Sequence, residues 1–270
     1  MVSDDARDAL RRLGVRARKG LGQHFLVDGR VAARHLAYAN VSRSDVVLEI
    51  GPGLGVLTKG LVARARRVIA IETDRTFVRH LADTVPEAEV LLADAVKADW
   101  PPFDVMVSNL PYRISSPITF KLLGTPFDRA VLMYQWEFAK RMVAKAGTAD
   151  YSRLSVGVYR RASCEILERV PRNAFYPQPR VDSALVRLLP RPAPFHVRDP
   201  TLYDAVVDAL FEHRRKTVAN GLRLSWPAFA PTPEAFEALV PGLPFLGRRV
   251  EQLRPEDLAL LAEAIATAKG

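Results

Sequence analysis

The chain has 270 residues, 49% of them hydrophobic, and its 39 lysines and arginines outnumber 30 aspartates and glutamates for a net charge of +9. That length suits one α/β domain plus a smaller module. No apolar run approaches a membrane span, and the single cysteine, Cys164, excludes an internal disulfide and a cysteine metal cluster.

Cys164 reads as a small packing residue. The start, MVSDDARDALRRLG, opens with acids and lacks the apolar stretch of a signal peptide, so a cytoplasmic protein is expected. The basic surplus suits a polyanion such as nucleic acid. It gathers in RRLGVRARK (11–19) and HRRK (213–216), although either run alone reads as a solvated face.

In chain order, VVLEI (46–50) is a buried strand, LTKGLVARA (57–65) a helix, RVIAIE (67–72) a strand and RTFVRHLADTV (75–85) a helix. EVLL (89–92) and DVMVSN (104–109) are strands, followed by a helix over SPITFKLL. RAVLMYQ (129–135) is a strand, and WEFAKRMVAKAG a helix with a glycine stop. LSVGVYRRA and VDSALVRLLP, rich in β-branched residues, are predicted as late strands. Alternating strands and helices predict an α/β fold whose parallel sheet is covered on both faces. The proline-rich PRPAPFHVRDP (190–200) reads as a semi-rigid linker, and beyond it the pattern is helical only. Two domains are therefore predicted, 1–190 and 191–270.

LEIGPGLGVLT (48–58) joins the first of these strands to a helix through Gly51, Gly53 and Gly55. Its spacing is not the dinucleotide G-x-G-x-x-G, and no lysine follows in P-loop register. Alone it could be merely a tight turn. Glu72, however, ends the next strand, where a carboxylate accepts ribose hydroxyls. Asp94 follows the third strand, placed for an adenine amino group or else as a helix cap. Asn109 ends the fourth. These groups in strand order fit S-adenosylmethionine better than NAD.

Asn109-Leu110-Pro111-Tyr112 would then line the acceptor pocket. The Asn109 side-chain carbonyl and the Leu110 backbone carbonyl can accept the two hydrogens of an adenine N6, Pro111 fixes the backbone between them, and Tyr112 can stack on the base. Phe175, on a proline-rigid loop, offers a second ring, unless it is a core phenylalanine. The target base would have to leave its stack to enter.

GQHFL (22–26), EIGPGLG, SNLPYRISSPI (108–118), FYPQPRVDSALV (175–186) and FEHRRKTVANGL (211–222) together resemble the rRNA adenine N6,N6-dimethyltransferases over about residues 17–225. YQWEFAKRMVAKAGTADYSRLSV (134–156) resembles the small-subunit branch in its archaeal form. The resemblance implies a Rossmann-like class I S-adenosylmethionine-dependent methyltransferase domain with a small C-terminal α-helical, RNA-binding domain. It implies transfer of methyl groups to two adjacent adenines in the loop of the 3′-terminal hairpin of small-subunit rRNA, and a role in small-subunit biogenesis. The partners would be that rRNA and the immature small subunit, with no membrane and the enzyme a monomer. Donor contacts carry over to His24, Leu26, Gly51, Gly53, Glu72, Asp94 and Asn109, and base contacts to Asn109, Leu110, Pro111, Tyr112 and Phe175. Many relatives have asparagine where this chain has His24, a change that a backbone contact survives. No metal is implied, since His24 has no partner at ligand spacing. The rival readings are a large-subunit adenine dimethyltransferase that confers macrolide resistance and an assembly factor whose methylation is incidental. A small-molecule N-methyltransferase is disfavoured by the basic runs.

Overall fold

The computed structural model of the protein describes residues 2–14 and 24–269. Residues 15–23, which hold much of the first basic run and the start of the GQHFL motif, lie outside them. The elements are α1 (Val2–Arg12), β1 (Phe25–Leu26), α2 (Gly29–Ala39), β2 (Val46–Ile50), α3 (Val56–Val62), β3 (Arg67–Glu72), α4 (Arg75–Thr84), β4 (Glu89–Leu92), β5 (Val105–Asn109), α5 (Ser115–Leu123), β6 (Arg129–Gln135) and α6 (Trp136–Met142). There follow α7 (Arg153–Arg161), β7 (Ala162–Val170), β8 (Phe175–Tyr176), β9 (Ser183–Pro190), α8 (Pro200–Phe211), α9 (Val218–Leu224), α10 (Pro233–Leu239) and α11 (Pro255–Lys269).

Two compact units form, Met1–Ala139 with Ser163–Pro190, and Lys140–Ala162 with Arg191–Gly270. The second is thus not only the segment after the linker. Residues 140–162 join it because Tyr151 and Val156 pack into the same apolar core as Tyr203, Leu210 and Leu258.

The first unit holds a seven-stranded sheet of order β4-β3-β2-β5-β6-β9-β7. The five strands from β4 to β6 are parallel. β2 is buried at every position, the sign of a strand covered on both faces. Leu36 of α2 and Leu57 and Leu61 of α3 pack with Val47, Val68 and Val105 on one of them. Fully burying a side chain of this kind stabilises a fold by about 1.5–3 kcal/mol.

The sheet departs from the all-parallel expectation at its far edge, where β9 runs antiparallel to β6. A parallel return needs a crossover, usually a helix, and no α-helix leads into β9. A second difference is α7. Residues 154–161, expected as a strand, are helical, and Ser152 and Ser155 form a reciprocal cap at the helix start. The strand is instead β7, whose charged residues Glu165, Glu168 and Arg169 disguise it in the sequence. α6 also ends early, at Met142 rather than near Gly147.

The second unit contains α7 to α11 apart from the sheet strands, with caps legible in the sequence. Asp199 caps α8 through the Thr201 and Leu202 amides, and Thr217 and Thr232 cap α9 and α10. Among the described residues no helix is long and apolar enough to cross a membrane.

Candidate active site

The order β4-β3-β2-β5-β6 reverses direction between β2 and β5. Ligands of open α/β sheets bind at such a switch point, beyond the carboxyl ends of the strands. A cavity of about 410 Å³ lies there, a size that accommodates a nucleoside-sized ligand. His24, Leu26, Gly51, Gly53, Glu72, Asp94 and Asn109, the expected donor-contact set, all line it.

The glycine turn shows why its sequence is needed. Gly51 has φ +70°, and a Cβ there would come within 3.2 Å of the Pro111 ring. Gly53 has φ +54°, and a Cβ would come within 3.0 Å of the Phe25 ring. Glycine alone permits both the left-handed backbone and the close approach.

Glu72 is held rigidly at the end of β3. One carboxyl oxygen accepts from the Thr73 and Asp74 amides at 2.8 and 3.0 Å, the other from Gly53 at 3.3 Å. Burial nevertheless raises its pKa, against those three N–H groups. Asp94 accepts from the Val96 amide at 2.9 Å, so it caps its own turn while lining the cavity. Glu49, also in the lining, accepts from the Thr58 hydroxyl at 2.8 Å. Burial pushes its carboxyl up to about 8; the Thr58 hydrogen bond opposes this and the Glu72 charge adds to it.

The loop 95–98 is fastened from below. Lys121 of α5 donates to the carbonyls of Ala95 (3.1 Å), Val96 (3.3 Å) and Ala98. Its ammonium sits 4.8 Å from the Trp100 ring centroid, and Trp100 donates to Ala95 O at 2.8 Å. Neither residue stood out in the sequence, because a lysine one helix away carries no local signal.

At the end of β5, Asn109 Nδ2 donates to the His24 carbonyl at 3.1 Å. A carbonyl can only accept, so the amide nitrogen must face His24, and Oδ1 is left for another donor. Among the described residues, no hydrogen bond ends on Asn109 Oδ1 or on the Leu110 carbonyl. Pro111 (φ −55°) lines the cavity, whereas the Leu110 side chain is buried in the core. Tyr112 lies beside the cavity rather than in its wall. Its hydroxyl pairs with Ser183 Oγ at 2.6 Å, and its ring lies 5.2 Å from that of His24. Burial raises the Tyr112 pKa, so the phenol stays neutral.

Phe175 is placed otherwise than expected. It sits in β8 opposite Leu26, is 3% exposed, and packs with Val31, Ala174 and Leu185. The ring that accompanies Tyr112 is His24, steadied by a 2.7 Å contact between Nδ1 and Pro177 O. Thr73, Val96, Arg113 and Ile114 are also in the lining, each within two residues of one singled out in the sequence. Among the described residues, no cluster of three or more histidines, cysteines or acids is placed to hold a metal.

The donor set suits S-adenosylmethionine. Three acidic side chains, Glu49, Glu72 and Asp94, line a nucleoside-sized cavity with one arginine among its described lining residues, which suits a ligand bearing a sulfonium and an ammonium. The Asn109 amide in its lining suits an amine as methyl acceptor. Fold and site together define a Rossmann-like, S-adenosylmethionine-dependent methyltransferase. Residues 14–232 match the family model for ribosomal RNA adenine dimethylases, and the chain belongs to that family.

The chain is 46% identical to the probable ribosomal RNA small subunit methyltransferase A of Methanothermobacter thermautotrophicus over 270 residues, 98% of this chain and 97% of the relative. It is 48% identical to the protein of the same name from Methanosarcina mazei over 248 residues, 90% and 91% of the two chains. A dimethyladenosine transferase from Plasmodium falciparum superimposes with a TM-score of 0.76 at 28% identity, covering 91% of this chain and 98% of the other. The 23S rRNA methyltransferase ErmE does so with a TM-score of 0.64 at 31% identity, covering 90% and 99%.

Proposed function

We propose that this enzyme transfers methyl groups from S-adenosylmethionine to N6 of two adjacent adenines in the loop of the 3′-terminal hairpin of small-subunit rRNA. It would act as a monomer on the immature subunit. The observation that carries the chemistry is the pair of acceptors with no partner among the described residues, Asn109 Oδ1 and Leu110 O, in a segment whose Asn109 and Pro111 line the cavity. The small-subunit target is supported by the named relatives at 46–48% identity, against 31% for the large-subunit enzyme ErmE.

Adenine N6 is a weak nucleophile because its lone pair is delocalised into the ring. An acceptor on each N6 hydrogen draws that pair out of conjugation. Bound S-adenosylmethionine supplies an activated methyl group on a sulfonium. Once alkylated, the nitrogen loses its proton readily, so no strong base is required; the neutral Tyr112 phenol would be a poor one. Catalysis is then alignment and electrostatics. The His24 carbonyl holds the Asn109 amide in its working orientation, while the neighbouring His24 and Tyr112 rings offer aromatic faces to an unstacked base. The helical unit would hold RNA phosphates through its basic run.

The test is incubation of unmodified small subunits and, in parallel, unmodified large subunits with purified protein and labelled donor, with the product located by mass spectrometry. Label at the paired adenines is expected; label on large-subunit rRNA only, or none, refutes the assignment. Asn109→Ala should lower turnover by about a hundredfold, the usual effect of losing one pre-aligned polar contact. Tyr112→Ala should weaken it through lost stacking. Donor and RNA binding should largely persist in both, whereas unchanged methylation in both would exclude this pocket.

A further inference from the structure

The loop 171–182, between β7 and β9, has two functions to reconcile. It braces the acceptor pocket, since Pro177 O meets His24 Nδ1 at 2.7 Å and Ser183, just after it, holds the Tyr112 hydroxyl at 2.6 Å. It also gathers positive charge. Arg169, Arg172 and Arg180 are all exposed, and a single acid, Asp182, bonds to the first two.

Asp182 Oδ1 accepts from the Arg172 backbone amide at 3.0 Å, and Oδ2 accepts from Arg169 Nε at 3.0 Å. Its own carbonyl accepts from the Trp136 amide at 2.9 Å. The Arg169 guanidinium lies 5.0 Å from the centroid of the Trp136 ring. The Arg172 side chain reaches the Arg180 carbonyl at 3.5 Å. The Arg180 side chain has no partner among the described residues. One carboxylate thus holds the Arg169 guanidinium and the Arg172 backbone, and the Arg172 and Arg180 guanidinium groups have no carboxylate bond among the described residues.

Fold stability does not explain this arrangement. An exposed ion pair contributes about 0–1 kcal/mol, and Arg180 makes no pair. Position does explain it. A base lifted from its stack into a pocket leaves the phosphates on either side of it at the mouth. Arginine suits such phosphates, because its planar fork donates two parallel hydrogen bonds.

We propose that Arg169, Arg172 and Arg180 form a phosphate-binding rim that carries the unpaired RNA strand flanking the target adenine. This rests on the dimethyltransferase reading above and adds the path of the strand through this unit. Arg169, held by Asp182 and Trp136, is the fixed element, while Arg172 and Arg180 close on the phosphates.

The test uses full-length protein carrying Arg172→Ala, Arg180→Ala, both together, or Arg180→Glu. All lie on exposed side chains, and calorimetry with S-adenosylmethionine reports whether each variant is folded. RNA affinity for the 3′-terminal hairpin is measured by filter binding over a range of salt, and KM for RNA by methyl transfer. Donor affinity should stay at the wild-type value while KM for RNA rises, most in the Arg180→Glu variant. The slope of log affinity against log salt should fall by about 0.7 for each arginine removed, the single-strand value. An unchanged slope and KM in the double and Arg180→Glu variants would overturn the rim. Because binding needs no turnover, wild-type protein that binds the hairpin without methylating it would count against the dimethyltransferase reading while leaving the rim's own measurement intact.

Discussion

Glu49 is a buried acid in a cavity assigned to a cationic ligand, and its proton balance can be measured. Its folded pKa is raised to about 8 by burial. A raised acid favours the fold fully below the unfolded value near 4.5 and loses that contribution as pH climbs toward 8, by at most about 1.4 kcal/mol per pH unit. The melting temperature of the donor-free protein should therefore fall relative to that of Glu49→Gln as pH rises from 5 to 8. The glutamine still accepts from Thr58 but does not titrate. A bound cation draws the Glu49 proton off, so affinity for S-adenosylmethionine should increase over pH 6–8, and more than that for the demethylated product, which lacks the sulfonium. Calorimetry in buffers of different ionisation enthalpy would show the proton released; no release, or no pH trend, refutes the coupling. That Gly51, Glu72, Asp94 and Asn109 line one cavity was legible at this scale because each stands at or just past a strand end in the sequence, whereas His24 and Leu26 came only from the family resemblance. The partner of Tyr112 was not legible. Phe175 and His24 are equally plausible rings as letters, and only the pairing of β8 with β1 turns the phenylalanine into the core.

Among elements, the loop after β4 depends on α5. Lys121 holds three consecutive-turn carbonyls of the segment whose Asp94 and Val96 line the donor cavity. Lys121→Met keeps the stem but removes the charge, and KM for S-adenosylmethionine should rise roughly tenfold or more, the worth of one hydrogen bond to a charged group. Turnover at saturating donor should hardly change, because Asn109 and Leu110 lie on another segment. Equal losses in both would show a general destabilisation instead. The parallel strands were legible because burial on both faces writes an unbroken apolar run. α7 was not, for a related reason: Leu154, Ser155, Val156, Gly157, Val158 and Arg160 are all buried, which hides the helical period, and Leu-x-Val-x-Val imitates a strand. β7 fails in the opposite direction, as a partly solvated edge strand with charged residues.

For the whole molecule, the surplus of cations is a statement about association. Many arginines are matched internally, Arg129 with Asp45 and Arg160 and Arg161 with Asp204 among them. In the helical unit Arg215 and Lys216 are exposed and have no side-chain partner among the described residues. The chain there brings a second basic pair alongside the first. Val218 N donates to Arg248 O at 2.9 Å and Val250 N to Lys216 O at 3.0 Å, so residues 216–218 run beside 248–250. Two runs remote in sequence thereby make one basic surface, of which only HRRK was visible as a cluster. Phosphate contacts position RNA without reading it, so Arg215→Ala with Lys216→Ala should weaken the matched hairpin and an unrelated RNA of equal length alike. Each loss should lower the salt slope by about 0.7, with donor affinity unchanged. Asn109→Ala should do the reverse, leaving both RNA affinities intact while transfer falls. A basic-surface variant that lost affinity for the hairpin alone would mean that this face reads sequence or shape, and its assignment as a phosphate-holding surface distinct from the base-holding cleft would have to be abandoned.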